Sequence, residues 1–222
     1  MKYLLHIDTA TDTGRVALSG DGKLIASLTN KEARSHASAI NNMIAEVMQQ
    51  AATPLSAIDA VVVCAGPGSY TGLRIGLATA KGLCYVMDKP LLLDNRLTLM
   101  AYQNFIQYRQ KYEAYLSLIV ARDKEYFISM YDKHFNPVFT HKHIMDEELK
   151  NLINNFNDIY VITNTDKQKI YDLNIKNLKI NEDIEINLSV WVSYAFEQYK
   201  CNNTVNLSSA EPFYLKQVYT HK

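Results

Sequence analysis

A chain of 222 residues can bury roughly 70 to 75% of its unfolded surface, enough for a core without metals or disulfides, and its 23 basic and 23 acidic side chains leave no net charge. That balance excludes the basic footprint of a protein that grips nucleic acid by itself. Cys64, Cys84 and Cys201 are odd in number and far apart, which excludes a disulfide framework and reads as free thiols of a reducing, cytoplasmic setting.

Asp8 interrupts the first apolar run, and no uncharged stretch approaches the ~18 residues of a membrane span, so neither a signal peptide nor a spanning helix is expected. In chain order, residues 3–8, 14–20 and 23–29 read as three consecutive strands. The Asp21-Gly22 pair between the second and third is a strong hairpin signal. Residues 35–51 predict an amphipathic helix, with Ile40, Met43, Ile44, Val47, Met48 and Ala51 on one face and Asn41, Asn42, Glu46 and Gln49 on the other. The β-branched run at 58–65 reads as a strand buried on both faces.

Residues 66–76, GPGSYTGLRIG, join that strand to a helix predicted over 70–87 with Ser69 as its N-cap. Glycine-rich turns of this kind invite a phosphate-loop reading, and the register rejects it. Gly72 is followed by Leu73-Arg74 rather than Lys-Ser/Thr; Thr71 stands where a dinucleotide fingerprint needs its third glycine; Pro67 and Thr71 flank Ser69 where a nucleophile elbow needs glycines. The helix is apolar on two sides. Tyr70, Leu73, Leu77, Ala80, Cys84 and Met87 form one stripe, and Ile75, Ala78, Gly82, Leu83 and Val86 a second. Gly72, Gly76 and Ala80 recur every fourth residue, which would admit a partner helix at close range. Cover by the helix at 35–51 of the same chain is the alternative.

A strand at 91–94 closes a βαβ unit, and 97–109 reads as a further helix. Beyond a boundary placed near Gln110 the order recurs in shortened form. Strands are predicted at 114–121, 125–132, 137–142 and 158–163, and helices at 146–155 and 188–200. The expected fold is therefore α/β and duplicated, mixed sheets flanked by helices, with domains 1–110 and 111–222.

Leu5-His6-Ile7-Asp8-Thr9-Ala10-Thr11, the glycine segment continuing to Leu83, Ala121-Arg122-Asp123-Lys124-Glu125-Tyr126 and Glu211-Pro212-Phe213-Tyr214-Leu215-Lys216 together resemble the TsaB (YeaZ) family. The resemblance implies an actin, Hsp70 and sugar-kinase-like fold and a role in forming N6-threonylcarbamoyladenosine in tRNAs that read codons starting with A. It implies a non-catalytic partner of a TsaD-like paralog, joined by a TsaE-like ATPase, touching tRNA only through the complex and pairing with itself when alone. In the catalytic paralog two histidines hold the active-site metal at the head of the helix after the βαβ unit; here Arg96 and Met100 stand at those positions, and neither suits such a metal. The partner face expected from pattern and resemblance comprises His36, Ile40, Met43, Ile44, Val47, Tyr70, Gly72, Leu73, Gly76, Leu77, Ala80 and Cys84. No intrinsic cofactor or metal is expected. ATP or ADP shared at a complex interface would draw on Asp8, Thr11, Gly68 and Arg74, although Asp8-Thr9-Ala10 lacks the glycine of the family's phosphate turns.

Other residues carry two readings each. Asp8 could orient a metal or water, or cap its own turn. His36 is an interface or ligand residue or a solvated helix-start histidine, and His141 with His143 could begin a metal site that lacks a third ligand. Arg122 and Glu125 match a family position or mark a surface turn. A glycoprotease-like hydrolase and an ATP-binding small-molecule kinase of the same fold are the alternative functions.

Overall fold

The computed structural model describes residues 1–32, 35–153, 156–171 and 177–214. Two compact units emerge, Met1–Arg96 with Asn187–Tyr214, and Leu97–Ile186. The division corrects the boundary near Gln110 and moves the last helix, 188–200, to the first unit. Glycine and alanine content marked where the texture of the chain changes, whereas a unit is defined by which surfaces bury one another.

In the first unit, β1 (Tyr3–Asp8), β2 (Gly14–Gly20), β3 (Lys23–Asn30), β4 (Ala60–Cys64) and β5 (Leu91–Asp94) form one sheet in the order β3-β2-β1-β4-β5. The two hairpin pairings are antiparallel, and β1, β4 and β5 run parallel. Asp21 and Gly22 both take positive φ, 48° and 75°, as a type I′ turn demands. Every residue of β2 and β4 is buried, the burial that strands covered on both faces require. Helices α1 (His36–Gln50) and α2 (Tyr70–Met87) share the core of this sheet.

Helix α3 (Arg96–Tyr108) leads into the second sheet, built from β6 (Ala114–Arg122), β7 (Glu125–Asp132), β8 (Pro137–Met145), β9 (Asp158–Thr163) and β10 (Asn177–Asn181) in the order β10-β9-β6-β7-β8. Read from the other edge this is the first sheet again, antiparallel across β6, β7 and β8 and parallel across β6, β9 and β10. The duplication is complete in the strands and shortened in the helices: α4 (Asp146–Ile153) has 8 residues and α5 (Lys167–Tyr171) has 5. The expected end of the helix at 154–155 lies outside the described residues. Strand β10 and helix α5 were not anticipated, because an asparagine-flanked strand of five and a helix of one turn carry too few residues to show a period.

Helix α6 (Leu188–Lys200) returns to the first unit. Asn187 caps it, its Oδ1 accepting from the amides of Ser189 at 2.9 Å and Val190 at 3.4 Å. Trp191, the chain's one tryptophan, is fully buried. A buried indole needs an acceptor for its N–H, and Asp94 supplies one, with Nε1 donating to Oδ2 at 2.7 Å.

Candidate functional site

The glycine segment is locked against the end of β1. The Ser69 amide donates to the Ala10 carbonyl at 2.7 Å, and Thr9 Oγ1 donates to the Gly72 carbonyl at 2.7 Å. Ser69 caps α2 as expected, its Oγ accepting from the Gly72 amide at 3.3 Å. A Cβ added at Gly68 would stand 2.2 Å from the Ala10 carbonyl oxygen, at Gly72 2.0 Å from the Thr9 carbonyl oxygen, and at Gly76 2.4 Å from Thr9 Oγ1. Close approach is therefore the reason for these glycines, and what approaches is the chain's own β1 turn.

This overturns most of the expected partner face. Gly72, Leu73, Gly76, Leu77, Ala80 and Cys84 are the buried face of α2, and Ile40, Met43, Ile44 and Val47 are the buried face of α1; the apolar side chains among them fill the core over the sheet. A helix has one set of positions at each angle, and the sheet has taken these. His36 is only 7% exposed, neither a solvated histidine nor a free interface residue; its Nε2 donates to the Thr11 carbonyl at 2.7 Å. Of the expected face only Tyr70, 42% exposed, stays on the surface.

The second stripe of α2 is split: Ile75 and Leu83 are half-buried against the core, whereas Ala78, Gly82 and Val86 face outward. Tyr85 and Val86 are each 82% exposed, Ala78 and Gly82 are exposed beside them, and a Cβ on Gly82 would meet nothing within 4 Å. Arg74, Ala78 and Gly82 follow at i, i+4 and i+8, one row of the helix surface. Cover by α1 therefore accounts for part of the helix and leaves this row open. Its chemistry is that of a helix-packing surface, small at the centre with an aromatic and a β-branched side chain beyond. Tyr85 was not expected there, since it stands in neither of the two apolar stripes read from the sequence.

The four residues named for a nucleotide do not converge. Asp8 is fully buried: its Oδ2 accepts from Arg15 at 2.7 Å and its Oδ1 from the Ala10 amide at 3.0 Å. The Asx-type cap is thus the reading that holds, with a buried ion pair added. Arg74 turns to Tyr214, donating from Nε to its hydroxyl at 3.1 Å, and stacks over the Tyr70 ring at 4.2 Å. Thr11 alone lines a cavity of about 420 Å³, with Asp12, His36, Ser69, Thr71, Gly72 and Ile75.

At the head of α3, Arg96 and Met100 are both buried, and the Arg96 amide donates to the Gly66 carbonyl at 2.7 Å. His141 and His143 have separate partners, Thr98 Oγ1 at 3.3 Å and Glu125 at 2.9 Å, and no group of three metal-ligating side chains occurs among the described residues. Arg122 and Glu125 pair across the β6–β7 turn. Leu215 and Lys216 of the last motif lie outside the described residues. Cys64 and Cys84 are buried free thiols, pushed upward by burial, Cys84 to about 11; Cys201 is exposed. Sequence reasoning passed over one polar cluster. Burial pushes the Asp94 carboxyl up to about 7 against the Trp191 hydrogen bond, and burial lowers His6, edge-on to Trp191 at 5.2 Å, to about 3. A lone tryptophan, which must find an acceptor once buried, was the available signal.

Residues 24–191 match the family model described as TsaD, tRNA N6-adenosine threonylcarbamoyltransferase. The chain belongs to this family. Over its full length it is similar to the tRNA threonylcarbamoyladenosine biosynthesis protein TsaB of Haemophilus influenzae, with 28% identity covering 99% of this chain and 95% of that protein. Its fold matches YeaZ from Pseudomonas aeruginosa with a TM-score of 0.79 at 22% identity, covering 99% of this chain and all of the other. The same fold is found in the ROK hexokinase from Thermus thermophilus, TM-score 0.51 at 10% identity over 90% of this chain and 100% of that one. The TsaB (YeaZ) resemblance holds, and so does a duplicated α/β fold of the sugar-kinase type. No helix among the described residues is long and apolar enough to cross a membrane.

Proposed function

We propose that the chain serves N6-threonylcarbamoyladenosine biosynthesis in tRNA as a non-catalytic, cytoplasmic subunit that pairs with a TsaD-like transferase. The observation that carries the pairing is the open row on α2, where Ala78 and Gly82 clear the backbone and Tyr85 and Val86 stand exposed. An apolar face on a helix whose other side fills a core calls for a second body. The non-catalytic role is supported by Arg96 and Met100, buried where the paralog's metal-holding histidines would stand. In this reading the TsaE-like ATPase and the tRNA join through the pair, and two copies of the chain use the same face when the paralog is absent.

Gly82→Trp should abolish the complex with the paralog in light scattering and stop threonylcarbamoylation in the reconstituted system, with the melting midpoint of the lone chain moved by no more than about 3 °C. An unchanged complex would refute the assignment. A nucleotide shared at the interface would enter the cavity beside Thr11, Ser69 and Thr71, since Asp8 and Arg74 are engaged elsewhere. Calorimetric titration of ADP should show no heat of binding with the chain alone and a saturable signal with the pair; saturable binding by the chain alone would favour the kinase alternative.

A further inference from the structure

After α6 the chain runs back across the first unit, and residues 210–214 reach α2. The Val205 amide donates to the Leu91 carbonyl of β5 at 2.9 Å, Lys81 of α2 donates to the Ala210 carbonyl at 3.2 Å, and the Phe213 amide donates to the Ala65 carbonyl at 2.9 Å. Ala65 immediately precedes the glycine segment, so the hydrogen bond from Phe213 ties residues 210–214 to the start of that turn. Tyr214 then completes a stack: its ring lies 5.4 Å from Tyr70, and its hydroxyl accepts from Arg74, whose guanidinium covers the Tyr70 face.

Arg74 is also the first member of the Arg74, Ala78, Gly82 row. We propose that residues 210–214 are a strap that belongs to the pairing surface. By holding Tyr70 and Arg74 in one stacked wall at the head of the open row, Tyr214 sets how tightly the face takes a helix of the paralog. An unrestrained arginine would sweep over Ala78 and lose rotamer freedom on pairing, whereas one already fixed by ring and hydroxyl loses little. Tyrosine and arginine are also the side chains in which binding energy concentrates at protein interfaces.

The proposal rests on the reading of α2 as the pairing face, and the test separates the two. Affinity for the paralog is measured for wild type, Gly82→Trp, Tyr214→Ala, Arg74→Ala and the double variant. Tyr214→Ala and Arg74→Ala should each weaken pairing about tenfold, and the double variant should be little worse than either, because both remove the same stack. Tyr214→Phe, which keeps the ring and loses only the hydroxyl, should weaken it about threefold and guards against loss of fold in the alanine variant. Pairing of Tyr214→Ala within twofold of wild type, with Gly82→Trp still abolishing it, overturns the strap and leaves the face. Pairing by Gly82→Trp like wild type overturns the face and the strap with it.

Discussion

Gly72→Ala is expected to destabilise the first unit by roughly 3 kcal/mol or more, with a fall of about 10 °C in the calorimetric midpoint. The added Cβ would sit 2.0 Å from the Thr9 carbonyl oxygen, so about 1 Å of separation must be found between α2 and the end of β1. Neither side is a flexible side chain. Retreat would stretch the hydrogen bond from Thr9 Oγ1 to the Gly72 carbonyl and the one from the Ser69 amide to Ala10, and a buried polar group left unmatched adds its own penalty. The control is in the same helix. Gly82→Ala meets nothing within 4 Å and should raise stability by about 0.5 to 1 kcal/mol, as removal of a mid-helix glycine does. Equal effects at the two positions would contradict the assignment of one glycine to the chain's own core and the other to an open face.

Asp94→Asn is expected to change how stability depends on pH. The folded carboxyl titrates near 7 and its ordinary value is 3.8, so between these the folded state holds a proton the unfolded state has released, and stability falls as pH rises. His6 acts in the opposite sense. It stays neutral in the fold down to about 3 against an ordinary 6.5, so stability falls as pH falls through that range. Each slope is about 1.4 kcal/mol per pH unit at full strength, and between about pH 4 and 6.5 they oppose one another. Wild type should therefore show a shallow profile there in urea unfolding. Asparagine keeps an acceptor for the Trp191 indole and cannot ionise, so Asp94→Asn should expose the histidine slope, gaining stability steadily from pH 4 to 6.5, and should exceed wild type above pH 7. A variant profile parallel to wild type would show that Asp94 is not held neutral.

Nearly every element was legible in the sequence because its cause is local. The short apolar runs of β1 and β2, the Asp21-Gly22 turn and the Ser69 cap each act within a few residues, and α2 spans 70–87 as read. The duplication was legible because its two sheets repeat one strand order. The purpose of the glycines was not. A glycine every fourth residue states that a body comes close to the helix, and nothing in its spacing says whether that body is a partner, a phosphate or the end of β1. Only the register of β1 against β4, which carries Thr9 and Ala10 to the head of α2, decides for β1. The same limit explains the core residues of α1 and α2 that were assigned to a partner, since apolarity predicts burial without naming what covers it. Composition and local pattern determined a two-sided apolar helix after a tight turn; tertiary packing decided which side was already occupied, because one sheet can cover only one face of a helix.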